Sequence, residues 1–228
     1  EFTDAQTPNN LKLDLNGDGS FETLISPTAV LDASSSLDII PPDVAIQSPT
    51  STTYKRSMVV PIIVQANDSI SGIALTEFRL DGIITTSTAL DLFFMALGDH
   101  EFAVKAMDVA GNPAGTSTTF LIIATIESTI ADVERAYELG WITKKSVKDE
   151  IIHKLRSALR KEKRIEIITE KLLDGTKLER KIERLEEKID KILMRILLKD
   201  LEKSLHKELI NESAYVILKE DIEWLLNN

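Results

Sequence analysis

The chain has 228 residues, 43% of them hydrophobic, which is enough to bury real cores and to fill two domains of ordinary size. It contains no cysteine, which excludes disulfides, thiolate metal sites and cysteine nucleophiles, and its 5% aromatic content argues against a stacking platform for sugars or bases. The net charge of −10 belongs wholly to residues 1–126, with 5 Lys/Arg against 15 Asp/Glu, while residues 127–228 hold the remaining 22 of each, so nucleic acid is not expected as a partner.

The opening Glu1-Phe2-Thr3-Asp4 lacks the basic start and apolar run of a signal peptide, and the chain is expected to be an internal or C-terminal part of something longer. Residues 1–40 read as a β-hairpin or the tail of a preceding domain. Leu11 to Leu15 alternates as a strand does, Asn16-Gly17-Asp18-Gly19 turns the chain, and residues 20–25 return. Within that turn, Asp14, Asn16, Asp18 and Glu22 place side-chain oxygens at intervals, with the Ser20 carbonyl as a fifth donor. Such a set suits a hard cation, calcium (Ca2+). Position twelve is Ile25, so the bidentate glutamate of an EF-hand is missing, and no helix is expected on either side. Two readings stand open: a calcium loop between strands, and an Asn-Gly/Asp-Gly hairpin with solvated carboxylates.

Pro41-Pro42 marks a stiff joint. Residues 43–125 read as short strands: 44–46, 59–66 with Pro61 as an edge or bulge, 75–80, 83–86, 89–94, 101–107 and 118–124. Turn residues recur every 8 to 12 positions, and about seven such strands predict a β-sandwich. Asp68, Asp81 and Asp108 fall at its turns, where aspartates cap backbone amides or, in a second reading, hold a cation.

The pattern of composition changes near Thr125-Ile126. No proline follows it, and Lys, Glu, Ile and Leu dominate, which predicts helices over 127–228. Val147, Ile151, Leu155 and Leu159 recur every four residues, flanked by Ile152 and Ala158. Leu178, Ile182, Leu185, Ile189, Ile192 and Ile196 form a heptad-like seam that Leu201 and Leu205 continue after a slip in register. Asp174-Gly175-Thr176 is the expected corner of an antiparallel helical pair, Ser146 with Asp149 resembles a capping box, and Asn211 should cap a last helix. No stretch of about 18 apolar residues occurs, so no membrane span is expected.

Two resemblances follow from these residues. Pro-Pro-Asp-Val-Ala-Ile at 41–46, Ala-Asn-Asp-Ser-Ile-Ser-Gly-Ile-Ala at 66–74, Arg-Leu-Asp-Gly at 79–82, Leu-Gly-Asp-His-Glu-Phe at 97–102 and Ala-Met-Asp-Val-Ala-Gly-Asn at 106–112 resemble a bacterial Ig-like domain over about 80 residues. Ile-Ala-Asp-Val-Glu-Arg-Ala-Tyr-Glu-Leu-Gly-Trp-Ile at 130–142, Ser146 to Leu155, and Ile210 to Leu226 resemble a FIMAH-type helical module, although the middle, 160–207, is longer and more charged than that pattern. Such a module often follows an Ig-like domain near the C-terminus of secreted prokaryotic hydrolases. The resemblance therefore implies an extracellular or cell-surface setting and an Ig-like antiparallel β-sandwich over 41–126 followed by a helical module over 127–228.

Catalytic motifs are missing. His100, His153 and His206 fall on different elements without metal-ligand spacing, and no GxSxG, phosphate loop or dinucleotide turn occurs. Trp141 and Trp224 sit beside apolar positions and read as packing residues. The expected function is a non-catalytic structural or accessory region, with the sandwich spacing a helical module that meets a protein or cell-surface component or self-associates. The rival expectation is an adhesion or substrate-binding module of an upstream hydrolase.

Overall fold

The computed structural model describes residues 11–13, 22–25, 38–170 and 175–228. The chain divides into two compact units, residues 1–40 and residues 41–228. In the first, β1 (Leu11–Leu13) pairs antiparallel with β2 (Glu22–Ile25), matching Lys12 with Thr23 and Leu13 with Glu22. The two-strand hairpin expected from the alternating leucines is therefore present.

In the second unit, β3 (Asp43–Ser48) is followed by β4 (Thr53–Lys55), β5 (Val59–Pro61), β6 (Ile63–Asn67), β7 (Ile73–Leu80), β8 (Ile83–Thr85), β9 (Ala89–Asp91), β10 (Gly98–Asp108) and β11 (Pro113–Ile123). A five-stranded sheet runs β4-β11-β10-β7-β8, antiparallel except where β4 lies parallel to β11. Two smaller antiparallel pairs, β3-β6 and β5-β9, accompany it.

The stretch expected as one strand over 59–66 is two strands. Pro61 has no N–H to donate, so the ladder with β9 ends there; the Ile62 amide bonds to Thr88 O at 2.9 Å, and the chain then joins β3. The expected strand 89–94 likewise stops at Asp91. Its carboxylate accepts from the Phe93 amide at 3.3 Å and starts a 3-10 turn over Leu92–Phe94. Strand β4 was not expected, being three residues of Thr, Tyr and Lys; it is held through Tyr54, whose ring meets Phe120 edge-on at 5.8 Å.

Alternation positions the core. Along β10, Phe102, Val104 and Ala106 are buried, and along β11 so are Phe120 and Ile122. Val60, Leu90 and Leu92 face them, with Val44, Ile46, Val64, Phe78 and Leu80 packed around. Each fully buried large side chain contributes roughly 1.5–3 kcal/mol.

Helix α1 (Ile126–Glu138) follows β11 after two intervening residues. Thr125 and Ser128 cap it reciprocally: Ser128 N donates to Thr125 Oγ1 at 3.0 Å, and Thr125 N donates to Ser128 Oγ at 2.8 Å. Then come α2 (Lys145–Glu170), α3 (Gly175–Arg195), a π-helical segment over Ile196–Leu201, α4 (Glu202–His206) and α5 (Glu212–Asn227). Helices α2 and α3 run antiparallel, since Glu150 feels Arg195 while Lys161 feels Lys188. The slip in the apolar seam is the π-helical segment itself. Ile196 and Leu201, five apart and both fully buried, stay on the core face because i→i+5 turns take the extra residue. Asn211 caps α5, accepting from Ala214 N at 2.9 Å. The expected Ser146–Asp149 box is not formed; α2 starts at Lys145, and the Asp149 carboxylate pairs with Lys145 and Lys148 instead. Ile151, Ile152, Leu155 and Ala158 of α2 meet Leu193, Ile196, Leu201, Leu218 and Ile222 in a second core.

Candidate functional site

One strand-side residue belongs to the helical core. Phe93, in the 3-10 turn after β9, is fully buried among Val133, Ile142 and the helices, and stacks on Trp141 with ring centres 5.6 Å apart. Over the same ring lies the Arg135 guanidinium from α1, 4.7 Å from its centre and 5.2 Å from that of Phe94. Asp91 fixes that guanidinium with two bonds, Nη1 to Oδ1 at 2.8 Å and Nη2 to Oδ2. Strand, turn and helix are thereby joined by one clamp of charge and aromatic surface.

The second tie is Arg56, placed just after β4 by its amide bond to Ile123 O at 3.0 Å. It is 1% exposed, the largest fully buried side chain among the described residues. Its guanidinium spends every nitrogen. Nε and Nη2 donate to Met95 O at 3.2 and 2.8 Å, and Nη1 donates to Ile217 O at 3.1 Å and to Asp221 Oδ1 at 2.8 Å. Nη2 also pairs with Glu220. Glu220 in turn accepts from the Leu97 amide at 3.0 Å. A single cation from the strands therefore holds two carboxylates and a carbonyl of α5 together with a carbonyl of the strand part. Arginine suits this because its planar fork satisfies several acceptors and stays charged when buried.

Behind Asp221 stands Asp132 of α1, also 0% exposed. Its two carboxylate oxygens and Asp221 Oδ2 find no donor among the described residues, so two buried carboxyl groups face each other, with Arg56 bonded, of the two, to Asp221 alone. Burial, then the neighbouring Asp221 charge, pushes Asp132 up to about 8, against the pull of Arg56 and Arg135. Burial also raises Asp221, to about 6, while Arg56 opposes the rise. At neutral pH Asp132 holds the proton and donates it toward Asp221, which stays ionised on Arg56. That proton pairs one Asp132 oxygen with Asp221 Oδ2, two of the three oxygens that otherwise have no donor among the described residues.

The residues singled out in the sequence lie elsewhere. Asp14, Asn16, Asp18 and Ser20 fall outside the described residues; Glu22 opens β2, and its side chain is also outside them. Asp68 caps its own turn, accepting from the amides of Ile70, Ser71 and Gly72 at 3.1, 2.7 and 2.7 Å, which holds its carboxyl below the usual range. Asp81, in the left-handed region at φ 50°, accepts from Glu101 N and His100 Nδ1. Asp108 accepts from the Asn112 amide at 2.7 Å and its side chain at 2.8 Å. His100 stacks on Phe120 in the strands, whereas His153 and His206 lie exposed on α2 and α4.

Sequence reading missed Arg56, Asp132 and Asp221, though a signal was there. Asp132 lies on the face of α1 that carries Thr129, Val133 and Ala136, and Asp221 on the face of α5 that carries Leu218, Ile222 and Leu225. An acid within an apolar stripe needs a partner.

No family model matches the chain, and no curated protein does. Among solved structures, a Clostridium thermocellum CbhA structure described as fibronectin(III)-like modules is similar at 22% identity, with a TM-score of 0.32 over 37% of this chain and 47% of that one. The match spans about half the length of that neighbour.

Proposed function

We propose that this chain is a non-catalytic structural or accessory region of a secreted or cell-surface protein, in which an Ig-like antiparallel sandwich carries a FIMAH-type helical module in a fixed orientation. The observation that carries this reading is the Arg56 junction. Three charged side chains buried to within 1% exposure, Arg56, Asp132 and Asp221, lie where α1 and α5 meet the strands, and all three are sealed from solvent. A flexible spacer would not need them. A buried ion pair contributes little net stability, but it specifies one geometry over sliding alternatives, as an apolar seam does not.

A carboxyl pair sharing one proton is also a known arrangement for acid–base chemistry, but a general acid must reach its substrate, and these oxygens are fully enclosed. Calcium held by Asp14, Asn16, Asp18, Ser20 and Glu22 forms part of the same proposal. Its support is the spacing of the oxygen donors and the pairing of β1 with β2 on either side of residues 14–21.

Calorimetry of residues 41–228 tests the fixed orientation. One cooperative transition is expected, in which strands and helices melt together. Two well-separated transitions, or a β part that melts unchanged after the helices are removed by proteolysis, would reject it.

A further inference from the structure

A row of cations crosses the helical module. Arg195, Lys199, Lys203 and Lys207 recur every fourth residue, all exposed, along one wall of a groove of about 380 Å³ between this stretch and α2. In a regular α-helix residues four apart advance about 40° beyond a full turn, so such a row would wind away from the groove. The π-helical segment Ile196–Leu201 has more residues per turn and advances less; set in the middle of the row, it offsets that drift and keeps all four on one face.

The groove also contains acids, but they are already answered. Lys154 reaches both Glu150 and Asp200, at 2.7 and 2.5 Å. The four cations of the row have no carboxylate within ion-pair distance among the described residues. A surplus of positive charge is thus gathered in one concavity of a protein whose net charge is −10. Helix-dipole stabilisation accounts for Lys203 and Lys207 near the end of α4, but not for Arg195 and Lys199 upstream of it.

We propose that this groove binds a linear, non-nucleotide polymer bearing phosphate groups. The row extends about 18 Å, which fits an extended polyanion better than a single anion. Three of the four cations are lysines, whose ammonium groups take phosphate oxygens from any direction. No aromatic side chain among the described residues lines the groove to stack a base, which separates a plain phosphate polymer from a single-stranded nucleic acid.

Titration of the full chain with inorganic polyphosphate, followed by calorimetry at low and high salt, tests the assignment. Saturable binding that weakens as salt rises is expected. Lys199→Gln and Lys203→Gln should each weaken it roughly tenfold, with melting unchanged because both side chains are exposed. Glu150→Gln should strengthen it, since it removes one of the two acidic charges that line the groove, the one that faces Arg195 and Lys203. Absence of binding would overturn the proposal, as would equal affinity in the Lys199→Gln/Lys203→Gln double variant. Polyglutamate or a single-stranded oligonucleotide binding as tightly would show that the chemical class is wrong. Orthophosphate binding as tightly as the polymer would show that the row is not an extended site.

Discussion

Replacing Arg56 by methionine keeps most of the side chain's bulk but removes its charge and every bond it makes across the junction. Asp221, fully buried, loses its counter-charge, and the Met95 and Ile217 carbonyls lose their donors. Removing one partner of a buried pair costs about 3–5 kcal/mol, because the remaining charge must be neutralised or wetted. For a unit of this size each kcal/mol lowers the melting temperature by about 2–4 °C, so a fall of roughly 6–20 °C is expected. Urea unfolding at neutral pH measures the free energy directly. The double variant Arg56→Met/Asp221→Leu should recover much of the loss, since replacing a buried pair by apolar groups is often neutral or stabilising. The cycle of single and double variants should therefore show strong coupling, on the order of 2 kcal/mol or more. A cost below about 1 kcal/mol for Arg56→Met, or simple additivity in the cycle, would refute the view that this cation organises the junction.

Three further outcomes are expected. Asp132 holds a proton in the folded state up to about 8 but releases it at ordinary carboxylate pH when unfolded, so the folded state binds more protons and stability falls as pH rises from about 4 to about 8. Asp132→Asn should flatten that decline in melting temperature, and an unchanged slope would remove Asp132 from the account; the capped Asp68 and paired Asp149, both held low, act in the opposite sense and only in acid. Glu208 ends α4 in the left-handed region at φ 56°, a conformation costly for a residue with a Cβ, so Glu208→Gly should stabilise by about 0.5–1 kcal/mol in urea unfolding. Calcium should raise the melting point of the hairpin unit and a chelator should reverse it, with Asp14→Asn/Asp18→Asn abolishing the effect; no shift in the intact chain would leave the hairpin turn as the reading of residues 14–22.

Local pattern carried far in this chain, and non-local pairing did not. The five-residue gap between Ile196 and Leu201 is visible as a slip in an otherwise heptad-like seam, and it becomes a π-helical segment because both residues must face the same core. Asn211 before an apolar run and the alternation Leu11-Lys12-Leu13 are equally local, and both elements form as the sequence implies. Strand β4 was illegible because Thr53, Tyr54 and Lys55 carry no alternation; it exists by docking beside β11, some 68 positions later. The division of 59–66 between two sheets depends on which partner stands beside each half, and only Pro61 hints at it. Arg56 is the extreme case. Its carboxylate partners lie 164 and 165 residues downstream, and nothing in the motif Lys55-Arg56-Ser57 separates it from an ordinary surface cation.

The two ties at the junction divide the work differently, and the difference explains why both are present. Phe93 supplies apolar burial, with Trp141 on one side and Arg135 over its ring; the ring contact contributes free energy but, being apolar, little direction of its own. Arg56 contributes less net free energy, because its desolvation offsets much of the pairing, yet its fork reaches Met95 on the strand side and Ile217, Glu220 and Asp221 on α5 at once. A rotation that kept Phe93 buried would strand that cation and expose the Asp132–Asp221 pair to an unshared charge. Adhesion between strands and helices thus comes from the aromatic plug and their orientation from the arginine, and loss of either should be distinguishable: Phe93→Ala by lower stability with geometry retained, Arg56→Met by a changed angle between the parts in small-angle scattering.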